Sequence, residues 1–287
     1  VDNFLFINRS DGTFAEAGRA WGVATDNNGN ATGAMGADTA MHHNDHRRAI
    51  AVGNFANQAS SFFVQSGQEG GFTDLANLEG VGSESRLRLS FGLFFFDADL
   101  DGRLDLLQSN GHLENEISEV QPSQTYPQPA QLFWNSGQRR RAYVALAAST
   151  VGDLATPIVG RGATYADIDG DGDLDVLLLQ PRGAPVLLRN DQELGNHWLR
   201  VHLEGGDGVN RDAIGASVEL AAGGRTQLRQ VMPTRSYLSQ VEPVLTFGLG
   251  AETSVESLRV HWPNGRTQSV VVQGVDRKIH VAYDPSR

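Results

Sequence analysis

Residues 93–107 contain Leu93-Phe94-Phe95-Phe96, then Asp97-Ala98-Asp99-Leu100-Asp101-Gly102-Arg103-Leu104-Asp105, then Leu106-Leu107. Two short apolar runs around an acidic turn predict a pair of buried antiparallel strands joined by a tight loop. The same order recurs as Ala163-Thr164-Tyr165-Ala166, then Asp167-Ile168-Asp169-Gly170-Asp171-Gly172-Asp173-Leu174-Asp175, then Val176-Leu177-Leu178-Leu179. The chain is therefore expected to repeat one strand-loop-strand unit.

A second unit, an apolar strand that ends in a polar turn, alternates with the first. Its copies are Leu5 to Phe14, Phe62 to Gly67, Leu132 to Gly137 and Leu187 to Asp191. When Asn8, Gln65, Asn135 and Asn190 are aligned, they lie about 57, 70 and 55 residues apart, a spacing typical of propeller blades with insertions. One unit of each kind makes a blade of about four strands.

The pattern changes after Asn190. From Asn196 the strands are longer and amphipathic, and Gly223-Gly224 and Asn264-Gly265 lie between them as hairpin turns. We expect an all-β chain: a partial β-propeller of about three and a half blades over residues 1–190, followed by a small antiparallel β-sandwich or barrel over residues 195–285.

Both acidic loops match Asp-x-Asp-x-Asp-Gly-x-x-Asp. Carboxylates at positions one, three and five converge when the chain turns tightly at the glycine, and an all-oxygen, anionic set suits Ca²⁺. The predicted ligands are Asp97, Asp99, Asp101, the Arg103 carbonyl and Asp105, then Asp167, Asp169, Asp171, the Asp173 carbonyl and Asp175. Position twelve holds Gln108 or Leu178 instead of glutamate, and strands flank both loops, so these are not EF-hands. Because the carboxylates repel one another, two bound Ca²⁺ ions should stabilise the fold.

A third loop, Met41 to Ala49, occupies the equivalent place one repeat earlier. It lacks the carboxylates at positions one and nine and the glycine at position six, so it should not bind calcium. Its residues His42, His43 and His46 could form a transition-metal site instead, although histidines on a loop are more often merely exposed. Arg47 and Arg48 weaken a metal site through like charge.

Composition excludes several classes of protein. The chain has 287 residues, with 23 Lys and Arg against 34 Asp and Glu, and its net charge of −11 argues against a nucleic-acid partner. There are no cysteines, which excludes disulfides, zinc-thiolate sites and thiol nucleophiles. The most apolar stretch, Leu89 to Phe96, is far shorter than the roughly 18 residues of a transmembrane helix. No signal peptide is visible at Val1, so we expect a mature form or a fragment.

These motifs resemble the calcium-loop propeller repeats called FG-GAP or VCBS-like, followed by an ASPIC/UnbV domain, as in the cartilage acidic protein family and its bacterial relatives. The Asp loops and the hairpins carry the resemblance over roughly residues 3–190. The C-terminal match rests on the runs Asn196 to Leu199, Asn210 to Ala216, Ser236 to Gln240, Phe247 to Gly250 and Val260 to Gly265. The resemblance implies an extracytoplasmic, calcium-binding propeller that works through interaction surfaces.

Three and a half blades are fewer than the four to eight of closed propellers. We therefore expect either that the chain is part of a longer protein or that another chain completes the ring.

A binding module is the favoured function, with a protein partner or larger complex, or extracellular matrix or glycan, as its ligand. Contact segments are expected around Gln121 to Ala130 and in the histidine loop. Ser236, Tyr237 and Ser239 offer hydroxyls, but no nucleophile elbow accompanies them. The alternative is a polysaccharide-active enzyme or lectin with structural calcium.

Overall fold

The computed structural model describes residues 1–67 and 70–286 of the chain, and these form small sheets with few helical turns. The first sheet is a hairpin of β1 (Phe6–Asn8) and β2 (Phe14–Glu16). Three antiparallel meanders follow, in which each strand pairs with the next one along the chain. This succession of small sheets resembles the blades of a β-propeller, as the repeated units predict.

The strands of the three meanders have these bounds. The first contains β3 (Ala37–Ala40), β4 (Ala49–Val52), β5 (Ser61–Gln65) and β6 (Phe72–Asp74). The second contains β7 (Ser90–Phe96), β8 (Asp105–Asn110), β9 (Gln131–Asn135) and β10 (Tyr143–Ala145). The third contains β11 (Ala163–Ala166), β12 (Asp175–Leu178) and β13 (Val186–Leu188).

Short helical segments lie only between strands in the described residues. They are α1 (Ala76–Glu79), α2 (Gly82–Ser85), α3 (Ile117–Val120) and a 3₁₀ turn over Gly152–Ala155. None of the helices in residues 1–67 and 70–286 is long and apolar enough to cross a membrane.

Strand β7 contains the aromatic run Phe94-Phe95-Phe96, and every one of its seven residues is buried. Leu93 and Phe95 pack toward the first meander, in a cluster that includes Phe62. Phe94 and Phe96 point the other way, into a cluster with residues of the third meander. Since side chains alternate across a strand, a strand buried on both faces is mostly apolar, and Ser90, the polar residue of β7, donates a hydrogen bond to Asn110 at 2.6 Å.

The C-terminal part has two larger sheets. One has the order β19-β14-β22 and the other β16-β15-β20-β21. Their bounds are β14 (His197–Glu204), β15 (Ser217–Ala222), β16 (Arg225–Gln230), β19 (Val244–Gly250), β20 (Ser257–His261), β21 (Thr267–Val270) and β22 (Arg277–Ala282). Residues of both sheets share one apolar core, which includes Val201, Val218, Phe247 and Trp262.

The prediction that this part is purely antiparallel is wrong at one pair. Strands β14 and β22 run parallel, with Val201 opposite Ile279. The chain leaves β14, builds the second sheet and returns in the same direction, and a parallel pair needs such a long crossover. Local hairpin signals in the sequence cannot reveal this pairing, because its two strands are more than seventy residues apart.

A small hairpin of the C-terminal part reaches the inner strands of the meanders. It consists of β17 (Thr234–Arg235) and β18 (Ser239–Gln240), and Ser236 forms a bridge with Ala37 at the start of β3. Arg235 pairs with the fully buried carboxylate of Asp38, with Nη1 3.0 Å from Oδ2. The C-terminal part is therefore docked on the blade-like sheets and buries an ion pair against them.

Candidate functional site

The two acidic loops occupy the same place in successive meanders. Asp97 to Asp105 joins β7 to β8, and Asp167 to Asp175 joins β11 to β12. The fourth and sixth residues of both loops have positive φ: Leu100 (58°), Gly102 (87°), Gly170 (84°) and Gly172 (100°). Such angles reverse the chain within a few residues and are easiest for glycine.

Part of each predicted ligand set converges. In the first loop, carboxylate oxygens of Asp97, Asp99 and Asp101 lie within 4.8 Å of one another. In the second loop, the same holds for Asp167, Asp169 and Asp175. The carboxylates of Asp105 and Asp171, also predicted as ligands, lie on these loops outside the two groups, and the predicted carbonyl ligands belong to Arg103 and Asp173 of the same loops.

The ninth residue of each loop has a structural role that the sequence pattern does not show. Asp105 accepts hydrogen bonds from the backbone N–H groups of Ala98 (3.0 Å) and Asn135 (2.7 Å). Asp175 accepts the equivalent bonds from Ile168 (2.9 Å) and Asn190 (2.9 Å). The ninth carboxylate thus fastens the loop to the hairpin strand of its own meander.

The hairpin asparagines also connect neighbouring meanders. The side chain of Asn190 donates to the carbonyl of Ala98, the second residue of the preceding Asp loop, at 2.8 Å. The side chain of Asn135 donates in the same way to the carbonyl of His42 at 3.1 Å. His42 holds the second position of the degenerate loop, so the contact repeats between successive units.

The buried carboxylates of the first loop are hard to ionise without a cation. Burial raises the pKa of Asp97 to about 7, and repulsion by Asp101 adds to the effect, whereas Arg229 opposes it. Burial likewise raises the pKa of Asp105 well above its usual range. In the second loop, burial raises the pKa of Asp173 to about 6. Crowded, desolvated carboxylates of this kind fit a hard divalent cation such as Ca²⁺.

The first loop contacts the C-terminal part directly. Asp97 accepts a hydrogen bond from the backbone N–H of Gly248 at 3.2 Å, and Gly250 donates to the carbonyl of Leu100 at 2.9 Å. A Cβ on Gly248 would lie 2.3 Å from Asp97 Oδ2, so only glycine permits this approach. The buried Arg229 adds a bond to the carbonyl of Gly102 at 3.2 Å.

The second loop is bound by a buried arginine of strand β14. Arg200 Nη1 lies 2.5 Å from Asp167 Oδ2, and its other terminal nitrogen pairs with Glu242. Glu242 in turn accepts a hydrogen bond from the backbone N–H of Asp167 at 3.1 Å. Arginine fits two carboxylates at once because its guanidinium presents a planar fork of donors. Both Asp loops therefore lie at the junction with the C-terminal part, a placement that their sequence does not indicate.

The histidines of the degenerate loop are less exposed than the sequence predicts. His46 is exposed, but His42 is fully buried, 5.2 Å from the ring centre of Phe62, and burial lowers its pKa to about 3. The His43 ring packs against it in a tilted arrangement, with ring centres 3.9 Å apart and an interplanar angle of 42°. The buried Glu79 of helix α1 completes the group, with Oε1 3.7 Å from His43 Nε2. No sequence signal identified Glu79, because it lies far from the loop along the chain.

The Pro-rich segment, expected to be a contact loop or a spacer, is held at its base. Gln128 accepts a hydrogen bond from the backbone N–H of Leu89 at 2.9 Å and exchanges backbone hydrogen bonds with Ile158. Arg161 donates to the carbonyls of Gly111 and His112. The helix α3 at the tip projects Val120, which is 84% exposed.

Comparison with known proteins gives two kinds of match. The family model described as ASPIC and UnbV matches residues 206–287. The chain is 31% identical over 290 residues to Cartilage acidic protein 1 of Xenopus tropicalis, 29% over 282 residues to that of Homo sapiens and 27% over 298 residues to that of Mus musculus. These alignments cover 98%, 93% and 98% of this chain but 41%, 38% and 41% of the relatives. The chain thus spans about two fifths of the length of the curated relatives it matches.

Proposed function

We propose that this chain, in which blade-like sheets precede a region that matches the ASPIC and UnbV family model, is a calcium-binding, non-enzymatic interaction protein that works outside the cytoplasm. Its relatives are named for cartilage and for their acidity, and neither word denotes a catalytic activity. The acidic composition of this chain, with a net charge of −11, agrees with the second word. The word cartilage in the names of the relatives is the basis for proposing a location outside the cytoplasm.

The observation that carries the calcium proposal is the convergence of three carboxylates in each of two equivalent loops. Oxygen ligands in a tight, glycine-containing loop are what Ca²⁺ selects, whereas transition metals prefer nitrogen or sulfur. Both loops also bond to the C-terminal part, through Gly248 at the first and Arg200 at the second. Calcium would therefore reinforce the junction between the blades and the ASPIC/UnbV domain, and its loss would loosen that junction.

The finer architecture belongs to the same proposal: FG-GAP-type repeats in about three and a half blades, then a sandwich-like domain. The hairpin β1–β2 corresponds to the outer half of a blade. Phe6 and Phe14 in this hairpin, and Phe4 just before it, are each at least 60% exposed. An apolar face of this kind favours contact with further propeller sequence or with another chain.

Recognition of a partner is proposed for the loops, because a rigid scaffold of blades can present them together. The segment around α3 is the best-defined contact surface, since its base is anchored while Val120 and the acidic residues Glu116 and Glu119 are exposed. An apolar tip among acidic residues suits a protein or matrix partner with a basic rim. A glycan ligand and a polysaccharide-active enzyme remain as outcomes of the test.

The calcium test is a stoichiometry measurement on the full chain by isothermal titration after EDTA treatment. Asp99→Asn and Asp169→Asn each remove one converging carboxylate from a different loop, and Asp207→Asn, outside both loops, is the matched control. We expect two Ca²⁺ per chain for the wild type and the control, and one for each loop variant. Unchanged stoichiometry in both loop variants, or no binding by the wild type, would overturn the proposal.

The interaction test is crosslinking and capture from native extracts with calcium or EDTA. We expect a protein partner that is recovered in calcium and lost in EDTA and in the double variant Asp99→Asn/Asp169→Asn. Turnover of a polysaccharide or ester that one substitution outside the two loops abolishes would establish the enzyme instead.

A further inference from the structure

The degenerate loop and helix α1 together form a second kind of side-chain cluster. His42 and His43 lie in the turn between β3 and β4, and Glu79 ends the helix that leads toward the next meander. One ring nitrogen from each histidine and one oxygen of Glu79 lie within 4.8 Å of one another. His46, the third histidine of the loop, is exposed and lies outside this group.

The polar atoms of this cluster are buried and lack partners. His42 is 0% exposed, and within residues 1–67 and 70–286 neither of its ring nitrogens has a hydrogen-bond partner. Glu79 is 4% exposed, and its Oε2 likewise has no partner among those residues. A buried polar atom left without a partner costs about 1–3 kcal/mol, so this arrangement calls for a ligand that accepts lone pairs.

We propose that His42, His43 and Glu79 bind one Zn²⁺ ion. Two imidazole nitrogens and one carboxylate are a common protein ligand set for zinc. Calcium would prefer the all-oxygen Asp loops, so the two metals would be separated by ligand type. The 3.7 Å between His43 Nε2 and Glu79 Oε1 is close to the spacing of two ligands on one zinc ion.

The surroundings are compatible with a cation. On the loop, the side chain of Arg47 is paired with Asp45, with Nε 2.7 Å from Oδ2. The rings of Phe62 and Tyr143 lie against His42 and shield it from water on that side. His43 is only partly buried, so an ion can enter past it and keep a fourth position for water.

The zinc site would link two successive meanders. The His42 carbonyl already accepts a hydrogen bond from the side-chain amide of Asn135, which belongs to β9 of the next meander. Helix α1 also contacts that meander, because Arg141 donates its backbone N–H to the carbonyl of Leu78 at 2.8 Å. A metal held by the turn and the helix would therefore stabilise the contact between these two meanders, which is equivalent to the contact that Asn190 makes with the preceding Asp loop.

The test uses the full chain in excess Ca²⁺, so that the Asp loops are saturated, with Zn²⁺ added after chelator treatment. Zinc per chain is measured by plasma mass spectrometry after gel filtration, and Co²⁺ is substituted to record the visible spectrum of a site that contains nitrogen ligands. The variants are His43→Gln and Glu79→Gln, and His46→Gln is the matched control. We expect one zinc per chain and a cobalt spectrum in the wild type and His46→Gln, and at least a tenfold loss of zinc in the other two.

Retention of zinc by both His43→Gln and Glu79→Gln, or a wild type that holds none, would overturn the proposal. Because Glu79 is buried, Glu79→Gln is judged only if its circular dichroism spectrum matches that of the wild type. His43→Gln changes a partly exposed side chain and decides the question if the other variant does not fold. A rise in unfolding temperature with zinc in the wild type, absent in His43→Gln, would support the site independently.

Discussion

Replacement of Arg200 by methionine should cost the protein a large part of its stability. Arg200 is 4% exposed and compensates two carboxylates at once, those of Asp167 and Glu242. Methionine retains most of the apolar volume but leaves both carboxylates without their cation. Removing one partner of a buried ion pair typically costs about 3–5 kcal/mol, against a total stability of about 5–15 kcal/mol for a typical domain.

A matched substitution separates the effect of breaking a buried ion pair from the effect of removing a positive charge at the surface. Arg259 also lies on a strand of the C-terminal part, but its side chain is 54% exposed and pairs with Glu219 at 3.2 Å. Exposed pairs contribute about 0–1 kcal/mol, so Arg259→Met should be nearly neutral.

Urea-induced unfolding in EDTA, followed by the fluorescence of the four tryptophans, measures both variants. A loss below about 1 kcal/mol for Arg200→Met, equal to that of Arg259→Met, would refute the view that Arg200 holds the junction. If calcium binds the second loop, it should stabilise Arg200→Met more than the wild type, because the ion then supplies the missing positive charge at Asp167.

Three further predictions concern the loops and their attachment. Asn190→Ala removes the hydrogen bond to the preceding Asp loop, so it should lower stability by about 1–2 kcal/mol; an unchanged melting temperature in EDTA would contradict the asparagine link. Gly172→Ala places a Cβ 2.1 Å from the indole of Trp198, whereas Gly170→Ala meets open space, so the first should destabilise far more than the second in thermal unfolding, although both have positive φ. In EDTA, stability should fall as pH rises from about 4 to about 7, because folded Asp97, with its pKa raised to about 7, keeps a proton that the unfolded chain has released; the slope should become shallower in Asp97→Asn, with a remainder from Asp105 and Asp173, whose pKa values are also raised.

The expected size of the pH effect follows from the same carboxyl group. A shift from the ordinary value of 3.8 to about 7 corresponds to roughly 4 kcal/mol at most. Calcium competes with that proton, so its apparent affinity should rise over the same pH range. These features make the first loop more sensitive to pH than the second, in which Asp169 and Asp171 are exposed.

Much of the fold follows from local patterns in the chain. The aromatic run of β7 alternates between two cores, and the glycines of the Asp loops adopt the positive φ angles that a tight turn requires. Such features depend on neighbours within a few residues, and hydrophobic periodicity and turn chemistry describe those neighbours well. The acidic loops, the repeated hairpins and the C-terminal motifs are all of this local kind.

Contacts between distant parts of the chain depend instead on how the sheets pack against one another. Glu79 joins His42 and His43 because helix α1 packs beside the turn, and Arg200 reaches Asp167 because the C-terminal sheets dock on the blades. The parallel pairing of β14 with β22 is of the same long-range kind. A sequence motif specifies which side chains can bind or pair, but the packing of whole sheets selects the partner, since burial and charge compensation depend on surfaces that meet only after folding.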